Sequence, residues 1–142
     1  AVRPGKPVWS AVREGAPRIV GLPGNPASAL VTSRLFLVPL IARMLGQDDT
    51  RTYTPFAARL GVSVEANGFR ESYLRARMTV GPSGELVVRP AESQDSSRMT
   101  PFVEGAVLVH RGPHAPAEEA GAEVQALAMQ PDALRPDARS AA

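Results

Sequence analysis

Eight consecutive residues, Gly21-Leu22-Pro23-Gly24-Asn25-Pro26-Ala27-Ser28, have the types and spacing to hold an anion. They follow Arg18-Ile19-Val20, which reads as a short buried strand, and precede Ala29 to Leu45, which reads as a helix. A strand, a tight Gly/Pro turn and a helix aim the unpaired N–H groups of the first helical turn at one point. The positive end of the helix dipole converges there too. Asn25 suits the N-cap and Pro26 the first helical position, and Ser28 can offer a hydroxyl beside the amides. Gly21, Pro23 and Gly24 shape the loop around that point. The same eight residues equally describe a well-capped α/β turn that binds nothing, and physics alone leaves both readings open.

Lys6, the only lysine, lies between Gly5 and Pro7, where the backbone is restrained. Restraint suits a point charge that holds a phosphate-like oxygen, with Arg3 as a weaker companion. The alternative is a solvated loop lysine. Further on, Arg70, Arg75 and the pair Ser96-Ser97 are candidates for an anionic cleft. Alternation places Tyr73, Arg75 and Arg77 on one strand face, two guanidinium groups beside a phenol. A salt-bridged solvent face is the competing reading, and for Arg77 it is favoured. His110 and His114 lie across Gly112-Pro113 and cannot share a helix face, so they make no metal pair. Asp48 and Asp49 read as connector charges. No hydrolytic constellation is present, and no metal site is expected in this chain.

The 142 residues give room for one compact domain, or a small domain plus a piece of another. An apolar share of 44% provides for a core. With no cysteine there is no disulfide framework and no thiolate metal site. Residues 1 to 46 carry six basic groups against one acid, and the remainder carries ten against thirteen. A positive first third suits a polyanionic ligand. Aromatics make up only 5% and do not interleave with the basic residues, so nucleic acid is not expected as a partner. The longest apolar stretch, Leu35 to Leu45, is broken by Pro39 and Arg43 and reads as too short to span a bilayer. With no signal-peptide pattern either, a soluble cytoplasmic protein is expected.

The elements that must position these residues fall into two groups. Pro7 to Val12 reads as a strand and Glu14 to Pro17 as a turn into the next. Two strands and one helix cannot enclose an α/β core, so residues 1–46 read as the last part of a larger α/β domain. In the helix, Leu30, Leu37, Ile41 and Met44, with Val31, Val38 and Leu45 beside them, form a broad apolar face. Pro39 should kink it or join two helices, and Gly46 should stop it. Residues 47–55 form a polar connector. Beyond it Phe56 to Val64, Ser72 to Thr79, Leu86 to Pro90, Ala106 to His110 and Glu123 to Met129 read as short strands. Asn67-Gly68 and Pro82-Ser83-Gly84 are the turn signals, the second for a hairpin. Strands at this spacing predict a small all-β barrel or sandwich over 56–129. Residues 130–142 carry no periodicity and read as a disordered tail.

Four motifs in order resemble one family, the molybdopterin molybdenumtransferases of the MoeA type, with the gephyrin E domain as a relative. They are Arg3-Pro4-Gly5-Lys6-Pro7, the GLPGNPxS turn, Arg70-Glu71-Ser72-Tyr73-Leu74-Arg75, and Ser96-Ser97-Arg98-Met99. The resemblance implies an α/β domain carrying a pterin-phosphate site, followed by a C-terminal β-domain that completes a cleft in a homodimer. It implies a magnesium-dependent transferase that inserts molybdate into adenylylated molybdopterin and releases AMP. Arg3, Lys6, Gly21, Pro23, Gly24, Asn25, Pro26, Ser28, Arg70, Arg75, Ser96 and Ser97 would be its binding residues here. The family's Gly-rich and acidic catalytic and magnesium segments would lie upstream, so this stretch is expected to be inactive alone. Val103-Glu104-Gly105 departs from the family's small-polar run. A gephyrin-like scaffold or dimerisation module, and an unrelated small β-barrel that binds anions, remain the alternatives.

Overall fold

A computed structural model describes residues 2–3, 8–15, 17–47, 53–94 and 106–130. Short runs rich in Ala, Val and Leu form the barrel strands: β4 (Phe56–Leu60), β5 (Glu71–Val80), β6 (Leu86–Pro90), β7 (Ala106–Arg111) and β8 (Glu123–Ala128). Three short strands precede them, β1 (Val2–Arg3), β2 (Trp9–Ala11) and β3 (Ile19–Gly21). β5 pairs antiparallel with β6 and with β7, β7 with β8, and β8 with β4, while β4 runs parallel to β6. These pairings close a five-stranded ring. The interior is built from Ala58, Leu60, Ala76, Val88, Val107, Val109, Val124 and Ala126, with Phe56, Leu74, Met78 and Leu86 at its margins. So few strands enclose a narrow lumen, which explains the run of Ala and Val at inward positions.

The hairpin expected at Pro82-Ser83-Gly84 joins β5 to β6, closed by a 2.8 Å bond from the Gly81 N–H to the Glu85 carbonyl. Asn67-Gly68 is not a hairpin turn but part of a longer loop at one barrel end. β1 adds to the outside of β5 in parallel, with Arg3 beside Ser72.

The helix is longer than the apolar stretch suggests. It begins at Pro26, capped by Asn25, and runs as α1 (Pro26–Thr32), a π-helical turn (Ser33–Leu37) and α2 (Val38–Met44). Pro39 has no N–H to offer the carbonyl of Leu35 and its ring would crowd that turn. The chain widens into a π turn ahead of it rather than breaking. At the far end Gly46, at φ +69°, donates to Arg43 while Gln47 donates to Ala42, the two bonds of a Schellman stop. Pro26–Met44 is long and apolar enough to cross a membrane by length and composition alone, unlike the shorter stretch read from sequence. In this fold one side of it is buried on the barrel: Val31 and Leu35 pack against Tyr73, Leu108 and Leu127.

β2 and β3 form an antiparallel ribbon. The expectation of a buried strand at Arg18-Ile19-Val20 is corrected here, since Ile19 is 54% exposed and its neighbour across the ribbon, Ala11, is exposed too. The apolar run reflects β propensity without a covering layer among the described residues.

Candidate functional site

The GLPGNPxS turn folds as its residue types dictate, but its amides are largely occupied. The Asn25 side chain accepts from the N–H groups of Ala27 at 3.1 Å and Ser28 at 3.3 Å, and the Ala29 N–H bonds back to the Asn25 carbonyl at 2.9 Å. Pro26 has no N–H. An anion at this turn would therefore meet the loop around Gly24, which is exposed, and the Ser28 hydroxyl, rather than free helical amides. Gly21 and Ser28 are half-buried and Pro23 is buried, so the turn is fixed from below.

Arg70 and Arg75 sit on or beside β5. Arg70 is half-buried, its guanidinium 5.4 Å from the Phe69 ring. Register confirms that Tyr73, Arg75 and Arg77 share the outer face of β5. They differ sharply in exposure: Tyr73 and Arg75 are buried and Arg77 is exposed. The Gln94 side chain clasps Arg75 through its backbone, accepting from its N–H and donating to its carbonyl, both at 3.0 Å. Two sequence-distant segments thus converge on this strand. β1 brings Arg3 beside Ser72, and Gln94 brings the chain to Arg75 two residues before Ser96. Lys6, Ser96 and Ser97 themselves, and the departure at Val103-Glu104-Gly105, lie outside the described residues.

Above Arg75 on the same outer face lies a hydrogen-bonded chain that no local spacing announces. His110 Nε2 is 2.7 Å from Glu71 Oε1. Tyr73 donates to the same oxygen at 3.3 Å, and the Tyr53 hydroxyl lies 2.9 Å from that of Tyr73. Tyr73 and His110 face each other across β5 and β7 with ring centroids 5.0 Å apart. Burial, reinforced by the Tyr53 hydroxyl and then by Glu71, pushes the Tyr73 phenol well above the usual tyrosine range. Next to this chain the π turn delivers Arg34, which is 4% exposed. Its Nε donates to the Ala128 carbonyl at 2.8 Å, and its Nη1 has no partner. Burial lowers the Arg34 pKa, opposed in part by Tyr53. An arginine inside a largely apolar helical run, five residues before a proline, was the available signal for this contact. The partner of His110, 39 residues upstream, had none.

The barrel end next to Asn67 is plugged by polar groups. The Asn67 amide donates toward the carbonyls of Arg70, Arg111 and Gly112 at 2.8, 3.2 and 2.7 Å, and its oxygen accepts from Ser72 at 2.8 Å. Arg111, 3% exposed, donates to the Pro116 carbonyl and lies 2.7 Å from Glu118. That contact is an ion pair of Arg111 Nη1 with Glu118 Oε1, and the other oxygen, Oε2, is buried without a hydrogen-bond partner. An open cleft of ≈ 620 Å³ borders the plug, with Glu65, Arg89, Glu92 and Gln94 on its walls.

Among the described residues no three of His, Cys, Asp and Glu come together. They do not fit a magnesium ion.

A model of the MoeA C-terminal region (domain IV) matches residues 57–129. The molybdopterin molybdenumtransferase of Haemophilus influenzae is 33% identical over 103 residues, which cover 72% of this chain and 25% of that protein. The molybdenum cofactor synthesis protein cinnamon of Drosophila melanogaster is 33% identical over 109 residues, 77% of this chain and 18% of that one. The crystal structure of the molybdopterin biosynthesis MoeA protein from Pyrococcus horikosii superposes with a TM-score of 0.72 at 28% identity, over 92% of this chain and 30% of that chain. The chain spans a quarter or less of the length of these curated relatives.

Proposed function

The chain belongs to the MoeA C-terminal region (domain IV) family of molybdenum-cofactor biosynthesis, and on that premise we propose that it is the C-terminal part of a molybdopterin molybdenumtransferase. In this reading residues 1–46 end the molybdopterin-binding α/β domain, 47–55 connect, 56–129 are the β-domain and 130–142 are its tail. The whole enzyme, a cytoplasmic homodimer, takes adenylylated molybdopterin and molybdate, transfers the metal to the dithiolene and releases AMP with magnesium bound by upstream acids. This stretch alone binds and does not turn over.

The observation that carries the reading is the convergence on β5. The parallel pairing of Arg3 with Ser72, and the clasp of Gln94 on Arg75, bring the chain just before Lys6 and just before Ser96-Ser97 to one strand. Both substrates are anions, so Lys6, Arg3, Arg70, Arg75 and the two serines hold their oxygens by charge and hydrogen bonds. The turn from Gly21 to Ser28 supplies its loop and the Ser28 hydroxyl. Positioning of this kind lowers a barrier without any of these groups being the reacting centre.

Calorimetric titration with adenylylated molybdopterin tests it. Binding that weakens about tenfold or more in both Lys6→Ala and Ser28→Ala supports the reading. Binding left unchanged by both variants would falsify the assignment of these residues.

A further inference from the structure

Three observations meet at Arg34, which the proposed molybdopterin site does not use. Its side chain leaves the helix in a π turn, a local widening that often marks functional positions. Its guanidinium is buried, and one edge is fixed because Nε is held by the Ala128 carbonyl at 2.8 Å. Its Nη1 is enclosed with no hydrogen-bond partner, and no ion pair to a described residue neutralises the charge. The titratable neighbour is the phenol of Tyr53, whose hydroxyl is already tied to Tyr73. A buried cation without a counter-charge is unfavourable, and a guanidinium N–H group left without an acceptor suits a planar or tetrahedral oxyanion.

We propose that Arg34 anchors an oxyanion-binding site at the junction of the helix and the barrel, taking a carboxylate or a small inorganic oxyanion at Nη1, the buried atom of the fork that has no partner. The anion neutralises the one charge that the helix buries against the barrel, so its binding tightens the docking of the π turn on the end of β8. Two sources share this chemistry, a carboxylate side chain from another protein segment and a free inorganic ion.

Thermal unfolding followed by circular dichroism distinguishes them. The chain is heated with sodium acetate, sodium sulfate or sodium molybdate, each matched to sodium chloride at equal ionic strength. At about tenfold excess over Kd the bound anion is expected to raise Tm by roughly 5 °C. The gain disappears in Arg34→Met, shrinks in Arg34→Lys, which keeps the charge without the fork, and persists in Arg13→Ala, an exposed arginine. A response to acetate alone assigns the site to a carboxylate side chain, and a response to sulfate or molybdate assigns it to a free ion. Stabilisation equal in all four proteins would be an excluded-ion effect and would overturn the proposal, as would no gain over chloride in the wild type. If Arg34→Met fails to fold, Arg34→Lys against Arg13→Ala carries the same decision. Neither result bears on the titrations of Lys6→Ala and Ser28→Ala.

Discussion

Replacing Asn67 tests the polar plug that closes one end of the barrel. Its amide nitrogen has two hydrogens and three carbonyl oxygens within 3.2 Å, and its oxygen accepts from Ser72. With a net value of about 1 kcal/mol for each of the two short donor bonds and the Ser72 bond, Asn67→Ala loses about 3 kcal/mol. Water reaching this half-buried site recovers part of that, so a loss of about 2–3 kcal/mol is expected. Asn67→Asp keeps the shape but turns the donor into an acceptor against three carbonyls, and at pH 7 it should cost more, about 3–4 kcal/mol. Those carbonyls favour the protonated form, so the folded pKa of the new carboxyl lies above its unfolded value of about 3.9. Below that unfolded value both states hold the proton, the carboxyl can donate, and the penalty largely disappears. It returns as pH rises through the raised folded value. Urea unfolding monitored by circular dichroism at pH 7 and near pH 3 reads this as midpoint shifts at constant slope. The Asp variant should be the less stable at pH 7 and the more stable near pH 3. An Asp variant equal to the Ala variant at pH 7, or the same gap at both pH values, would refute the donor role.

Other perturbations probe the remaining contacts. Leu108→Ala, at a fully buried position under the helix, should cost about 2–5 kcal/mol, whereas Met44→Ala, 61% exposed, should stay within about 0.5 kcal/mol; denaturant midpoints compare the two. The phenol of Tyr73 holds its proton above the ordinary tyrosine range, so the native and unfolded chains bind equally many protons below about pH 10. Above it the unfolded chain releases a proton that the native chain keeps, and stability falls by up to about 1.4 kcal/mol per pH unit. Absorbance at alkaline pH should show the Tyr73 phenol ionising only with unfolding, and its ionisation in the folded chain would contradict this. Gly21→Ala would place a methyl against the Trp9 indole nitrogen and push that ring aside. The fluorescence of the only tryptophan should shift to the red with little change in stability, and an unshifted spectrum would mean the ring does not rest on Gly21.

The barrel strands were legible because short apolar-rich runs stand between turn residues, and in β5 inward and outward positions alternate. The cap at Asn25 and the stop at Gly46 were legible because each is set by a few neighbouring residues. The π turn was not, since Pro39 says only that a normal hydrogen bond is missing and leaves the chain to choose a kink, a break or a widening. Asn67 announced a turn, yet its side chain acts at a distance, on Arg111 and Gly112. The Glu71–His110 pair and the β1–β5 ladder join residues far apart in sequence, so no periodicity carries them. Ile19 misled because β-branched residues favour strands whether or not a second layer covers them. At the candidate site the sequence named Arg75 as a ligand but could not show that it is buried and clasped by Gln94.

The ring of strands closes where Phe56 meets Ala126, the first strand of the barrel against the last. A chain made from its N-terminus therefore cannot shut this barrel until β8 has been synthesised. Val31 and Leu35 are made almost a hundred residues before Leu127, the residue against which they are buried. For that interval the apolar helix is a nascent segment without its final partner, and the loop that must close is nearly as long as the domain itself. Closure at such separation is slow and leaves surface open to unwanted association. The seam between β4 and β8 thus sets the order of events at the ribosome as well as the shape of the finished barrel.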